Sequence, residues 1–268
     1  MEIVYEYSCA GKAHQNEDIY GMNGNVVWVI DGATEMFYDY HISKDGDTLW
    51  IVQQINEALK RQDKKCGLSE MLFSAIQEVR KIAEEINPEI RKLAKYELPS
   101  FAICMAKIEK KTMKFLVLGD CSIMLKEKKK VIVDTRLEKF HKMVMDVKMK
   151  YTGTSLYKEK VREMAQNVRK HMNTFSGYWI GSLDENVAYQ GITGELQLDR
   201  DEYILMCSDG FWPAIKENGF FCYKYEDIFV PEKIRDIIYE QSILEIEYEK
   251  RKGNNISDDK TVVIIYNA

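Results

Sequence analysis

Apolar positions along this chain follow two rhythms. The first is short and dense. Residues 2–8 alternate loosely, and residues 25–31 form a continuous apolar run that suits a strand covered on both faces. FAICMAKIE (101–109), KFLVLGD (114–120), CSIMLK (121–126) and VIVD (131–134) are apolar stretches separated by turn or charged residues. Their spacing predicts an antiparallel meander. GYWIGS, VAYQGIT and EYILMCSDG read as further strands, and DKTVVIIYNA as another at the end of the sequence.

The second rhythm is helical. Residues 47–62 align Leu49, Val52, Ile55 and Leu59 on one face, and residues 68–86 align Leu72, Ile76, Val79, Ala83 and Ile86. Ser69 marks a helix start and Asn87-Pro88 a stop. Residues 156–172 keep Val161, Met164, Ala165, Val168 and Met172 in register, and residues 232–252 form a long amphipathic helix. Strands and helices come in blocks rather than in strict alternation. That predicts antiparallel sheets with helices packed outside them, and argues against a doubly wound parallel sheet.

Composition narrows the picture. The chain has 268 residues, 46% of them apolar, enough for a sizeable core. Its four prolines define no linker, so one domain spanning 1–268 is expected. A formal net charge of −5 argues against broad affinity for nucleic acid or an anionic membrane. The KEKKK run at 126–130 reads as a solvated turn. No apolar run approaches the roughly 20 residues of a membrane helix, and the opening residues do not read as a signal peptide. Six scattered cysteines form no CxxC pair, which suits reduced thiols in the cytoplasm.

Acidic residues supply the candidate chemistry. NED (Asn16, Glu17, Asp18) precedes a strand. IDG (Asp31, Gly32) and CSDG (Ser208, Asp209, Gly210) end strands. SDDKT (Asp258, Asp259) opens the last one. A strand end fixes a carboxylate, and the Gly after it lets backbone and ligand approach closely. Singly, each motif reads as an ordinary turn, and GDCS at 119–122 reads as a hairpin turn with Asp120 at its corner. Together they form an oxygen-rich cup that needs cations or protons. Oxygen ligands without Cys or His favour hard ions, Mg²⁺ or Mn²⁺, over zinc.

NEDIYG followed by VVWVIDGAT, then FLVLGDCSIML, EYILMCSDGFW and ISDDKTVVII, resemble in order and spacing the motifs of the metal-dependent serine/threonine protein phosphatases of type 2C, in a compact bacterial form. The resemblance spans nearly the whole chain. It implies an α+β fold, a four-layer αββα sandwich of two stacked antiparallel sheets flanked by helices. It also implies a binuclear site of two Mn²⁺ or Mg²⁺ ions. Asp31 would bridge the ions, the Gly32 carbonyl with Glu17 or Asp18 would help hold them, and Asp209 and Asp258 would complete one ligand set. The activity implied is hydrolysis of phosphoserine or phosphothreonine in proteins by a metal-activated water, on substrates of a serine/threonine kinase.

The chain departs from that pattern in places. Where relatives carry an Arg ahead of the acidic pair to clamp phosphate, this chain has Ala13 and His14 next to Lys12, which makes Lys12 and His14 the candidate phosphate ligands. Neither reproduces a guanidinium fork. Ala33-Thr34-Glu35 follows Gly32 and offers no obvious general acid. Asp259 stands where Asn is common, adding a negative charge near the ions. The central helical segment 138–172 carries no signature of its own. Two further readings stay open: a pseudophosphatase that keeps the fold as a binding module, and a hydrolase of small phosphoesters.

Overall fold

The apolar run ending on Asp31 lies between two layers of protein, as its composition demands. In the computed structural model, residues 1–11, 15–37, 41–214, 223–250 and 257–268 are described. The chain opens with β1 (Glu2–Cys9), β2 (Ile19–Asn23) and β3 (Val26–Gly32), followed by α1 (Asp47–Arg61) and α2 (Leu68–Ile86). Next come β4 (Ser100–Glu109), β5 (Thr112–Leu118), β6 (Ser122–Leu125) and β7 (Lys130–Val133). Helices α3 (Glu138–Tyr151) and α4 (Tyr157–Arg169) lead into β8 (Gly181–Ser182), β9 (Ile192–Gln197) and β10 (Glu202–Cys207). Helix α5 (Pro231–Lys250) and β11 (Lys260–Asn267) complete the described elements.

The strands form two antiparallel sheets. One has the order β1-β11-β10-β6-β7, the other β2-β3-β4-β5-β9 with β8 added on β4. Strand alternation divides the core into layers. Val27, Val29, Cys104, Val117, Ile123, Met206, Val263 and Ile265 pack between the sheets. Val26, Trp28 and Ile30 point the other way, against Ile51, Ile55, Leu72 and Ile76 of α1 and α2. Leu205, Val262 and Ile264 cover the far face with Ile234, Ile237 and Ile238 of α5. The result is the four-layer α+β sandwich that the motifs imply.

Two expectations need correction. The stretch 101–134 is not a continuous meander. β4 and β5 pair in one sheet, β6 and β7 in the other, so the chain changes sheets between Leu118 and Ser122. Gly119 makes the change possible. Its φ is +86°, and a Cβ there would sit 2.6 Å from the Cβ of Ala102. Nor are GYWIGS and VAYQGIT full strands: Tyr178 makes an isolated parallel bridge with Met172, Gly181–Ser182 and the residues from Ile192 onward pair in the sheet, and a 3₁₀ turn at Glu185–Tyr189 lies between them. The second helix covers the predicted residues but starts at Leu68 behind Gly67, whose N–H is held by Glu70 Oε2 at 2.9 Å.

The indole of Trp28 is fully buried, and its Nε1–H donates to Asn56 Oδ1 at 3.0 Å. Trp28→Phe keeps the hydrophobic contact but strands a buried acceptor. We expect a loss of about 1–3 kcal/mol, read as a lower denaturation midpoint at unchanged m-value. An unchanged midpoint would show the hydrogen bond to be immaterial.

Candidate metal centre

Four strand ends meet at one end of the sandwich. β3 finishes on Asp31–Gly32, β10 is followed by Ser208–Asp209, and β11 is preceded by Asp258–Asp259. The sheet change after β5 adds Asp120. Carboxylate oxygens of Asp31, Asp120 and Asp209 all lie within 4.8 Å of one another. The Asp209 N–H donates to Asp31 Oδ2 at 3.3 Å. With Gly32 and Asp258, these residues line a cleft of about 430 Å³. Asp31, Asp209 and Asp258, far apart in sequence, therefore share one cavity. Asp120, which reads as a hairpin corner in the sequence, shares it too. Its turn-like spelling hides this, because the residue that tips the chain into the other sheet also delivers a carboxylate to the cleft.

Asp18 is buried next to these residues, with the Ser208 hydroxyl as its hydrogen-bonding neighbour. Its Oδ2 has no partner among the described residues. Glu17 contributes backbone: its carbonyl accepts the Gly32 N–H at 3.2 Å. A Cβ on Gly32 would fall 2.8 Å from the Glu17 Cβ and 2.7 Å from Thr48 Cγ2, so no larger residue fits between them. Lys12 and His14 lie outside the described residues.

The electrostatics are those of a site short of positive charge. Desolvation, then the neighbouring carboxylates Asp18, Asp209, Asp120 and Asp258, push the Asp31 carboxyl well above its usual range. Burial and Asp120 push Asp209 up to about 6. Burial and Asp258 push Asp120 up to about 6. Asp258 keeps solvent contact at the rim, yet burial of its carboxyl and the charge of Asp209 push it up to about 6 as well. Clustered carboxylates with an orphaned, buried Asp18 oxygen fit hard divalent cations, which take oxygen donors and supply the missing charge.

Two acidic residues have other work. Asp259 adds negative charge beside the cluster, reinforcing the burial that pushes Asp18 and Asp258 upward, and its carboxylate also accepts the N–H of Gly11 at 2.6 Å and of Glu17 at 2.7 Å, pinning the loop that carries the NED motif. Glu35 accepts the Thr48 N–H at 2.8 Å at the start of α1, where an anion is favoured. Behind the site, Lys260 is fully buried. Its Nζ donates to Glu245 Oε2 at 2.7 Å and to the Asp258 carbonyl at 3.0 Å. Gln241 donates to Glu245 Oε1 at 3.1 Å and also to the Gly210 carbonyl. Helix α5 thus braces both the Asp209–Gly210 and the Asp258 segments. The thiols of Cys121 and Cys207 are buried, and burial pushes both upward, as suits apolar packing rather than reactivity.

No protein-family model matches the chain, and no curated protein matches it by sequence. Solved structures do match it by shape. PppA, described as a key regulatory component of T6SS in Pseudomonas aeruginosa, aligns at TM-score 0.55 and 14% identity over 98% of this chain and 96% of its own. The catalytic domain of the serine/threonine protein phosphatase PstP in complex with two manganese ions aligns at TM-score 0.54 and 13% identity over 98% and 97%. The serine/threonine phosphatase Stp1 from Staphylococcus aureus aligns at TM-score 0.56 and 12% identity over 100% and 96%. At these identities the likeness establishes the fold: that of the bacterial type 2C phosphatases.

Proposed function

We propose that this chain, built on the type 2C phosphatase fold, is a Mn²⁺- or Mg²⁺-dependent phosphatase acting on phosphoserine and phosphothreonine in proteins. Asp31, Asp209 and Asp258 hold two ions, helped by Asp120, by the Gly32 carbonyl and by Glu17 or Asp18. The observation that carries this reading is the meeting of Asp31, Asp120 and Asp209 from both sheets within 4.8 Å. When bound, such ions acidify water and offset negative charge on phosphoryl oxygens. The chain itself holds the carboxylates on strand ends, so their spacing is set by the sheets. Gly32 and Gly210 keep the backbone beside them close and narrow. Lys12 and His14 remain proposed phosphate ligands. The substrate is a phosphoprotein made by a serine/threonine kinase, and free thiols at all five described cysteines support a reducing compartment such as the cytoplasm. No helix among the described residues is long and apolar enough to cross a membrane.

The test is Mn²⁺-dependent release of phosphate from a phosphothreonine peptide, compared with nucleotides and sugar phosphates. Preference for the small esters overturns the protein-phosphatase reading. Metal binding without turnover of any ester leaves a binding module. Protons compete with the ions for the same oxygens. Because Asp120, Asp209 and Asp258 are pushed up to about 6, Mn²⁺ affinity should fall by about tenfold or more per pH unit below that value. Titration calorimetry between pH 5 and 8 reads this slope, and a flat profile contradicts the ligand set.

A further inference from the structure

We propose that Arg169 is the anion receptor of the cleft, its guanidinium binding the phosphoryl oxygens of the substrate from the α3–α4 wall. The inference rests on the phosphatase reading above and deepens it. Arg169 ends α4 and is only 8% exposed. Its Nε donates to the Tyr96 carbonyl at 3.3 Å and its Nη2 to the Leu98 carbonyl at 3.1 Å. A guanidinium carries five N–H donors, and these two bonds leave the others without an acceptor among the described residues. Both acceptors are neutral carbonyls. Glu35, the carboxylate that acts on it, is bonded to Thr48 N–H and forms no ion pair with it. Arg169 also lines a smaller cavity with Glu35, Asp47 and Glu97, so carboxylates lie near it, but its own hydrogen bonds go only to neutral carbonyls, which leaves donors for an arriving anion.

The position suits that role. Arg169 lines the same cleft as Asp31, Asp120, Asp209 and Asp258. Among the described residues, the basic ones lining that cleft come from α3 and α4: His141, Lys148 and Arg169. This wall reaches the acidic cluster, since His141 Nε2 lies 3.4 Å from Asp120 Oδ2. A phosphomonoester dianion has three terminal oxygens. Oxygens turned away from cations among the carboxylates need donors, and a planar guanidinium fork matches them better than an ammonium does. The Tyr96 and Leu98 carbonyls hold the side chain in place beforehand, which reduces the ordering cost of binding. Arg169 thus supplies, from a different element, the guanidinium that Ala13 and His14 lack.

The experiment uses the full chain loaded with Mg²⁺, with inorganic phosphate as probe in calorimetry and a phosphothreonine peptide in steady-state kinetics. Arg169→Met should weaken phosphate binding and raise KM by about 10- to 100-fold, and Arg169→Lys should fall between it and the wild type. Mg²⁺ affinity and melting temperature should stay near wild-type values in Arg169→Lys. Unchanged phosphate affinity and KM in both variants overturn the proposal. If neither variant folds, the wild type decides: phosphate must shift the Arg169 side-chain N–H resonance, and an unmoved resonance overturns the proposal. Phosphate binding is read without turnover. If the wild type hydrolyses no ester while phosphate binding still depends on Arg169, the phosphatase reading fails and the receptor stands. If hydrolysis proceeds and the variants bind phosphate normally, the reverse holds.

Discussion

Asparagine in place of Asp209 should give a protein that melts higher than the wild type without metal and hydrolyses nothing measurable with it. The carboxyl is pushed up to about 6 by burial and by Asp120. The folded state therefore holds a proton that the unfolded chain, titrating near 4, has already released. Stability of the metal-free protein falls as pH rises through that interval, and the penalty is complete above about 6. The substitution Asp209→Asn removes it. With allowance for the partly exposed side chain, the gain at pH 8 is roughly 1–2 kcal/mol, or about 2–6 °C, and it should vanish near pH 4. Asp31→Asn should behave alike, since the same crowd of carboxylates raises Asp31. Turnover should drop at least about 10³-fold in either variant, the equivalent of about 4 kcal/mol. A variant that melts lower at pH 8 and keeps its activity would remove both residues from the site.

Lys260→Met should cost about 3 kcal/mol, a fall of roughly 6–12 °C in melting temperature. The ammonium is fully buried and Glu245 is 22% exposed, at 2.7 Å from it. Removing the lysine leaves a largely buried carboxylate and frees the Asp258 carbonyl. Replacing both partners, Lys260→Met with Glu245→Leu, should recover most of the loss, because an apolar pair of similar size needs no compensation. A thermal melt of the four proteins in this cycle decides. If the single variant is as stable as the wild type, the pair contributes nothing to the fold.

Much of this architecture can be read from periodicity. The run over residues 26–32 is apolar at every position before Asp31 because both of its faces are covered, and α2 follows its apolar stripe to the residue. Asp31 and Asp209 are legible because a carboxylate closing an apolar strand before Gly is chemically odd. Asp120 is not, because Gly-Asp spells a turn whether the chain folds back on itself or crosses to another sheet. Asp259 is half legible: its negative charge near the cluster can be read from the sequence, but not that its carboxylate also accepts two backbone N–H groups. Arg169 sits in an ordinary amphipathic pattern, and only the packing of α4 against the carbonyls of Tyr96 and Leu98 sets it apart. Tyr178 and Trp179 look like strand residues, yet Tyr178 makes only an isolated bridge with Met172, and sheet pairing begins at Gly181.

The crossing after Gly119 has one more outcome. β3 and β10 belong to opposite sheets, and the segment between β5 and β6 bridges them. An ion gripped by Asp31, Asp120 and Asp209 would act as a rivet through both plates of the sandwich. Loading it should slow amide exchange at Val117 and Met206, deep in the seam, while the amides of α2 on the outer surface keep their solvent-exchange rates.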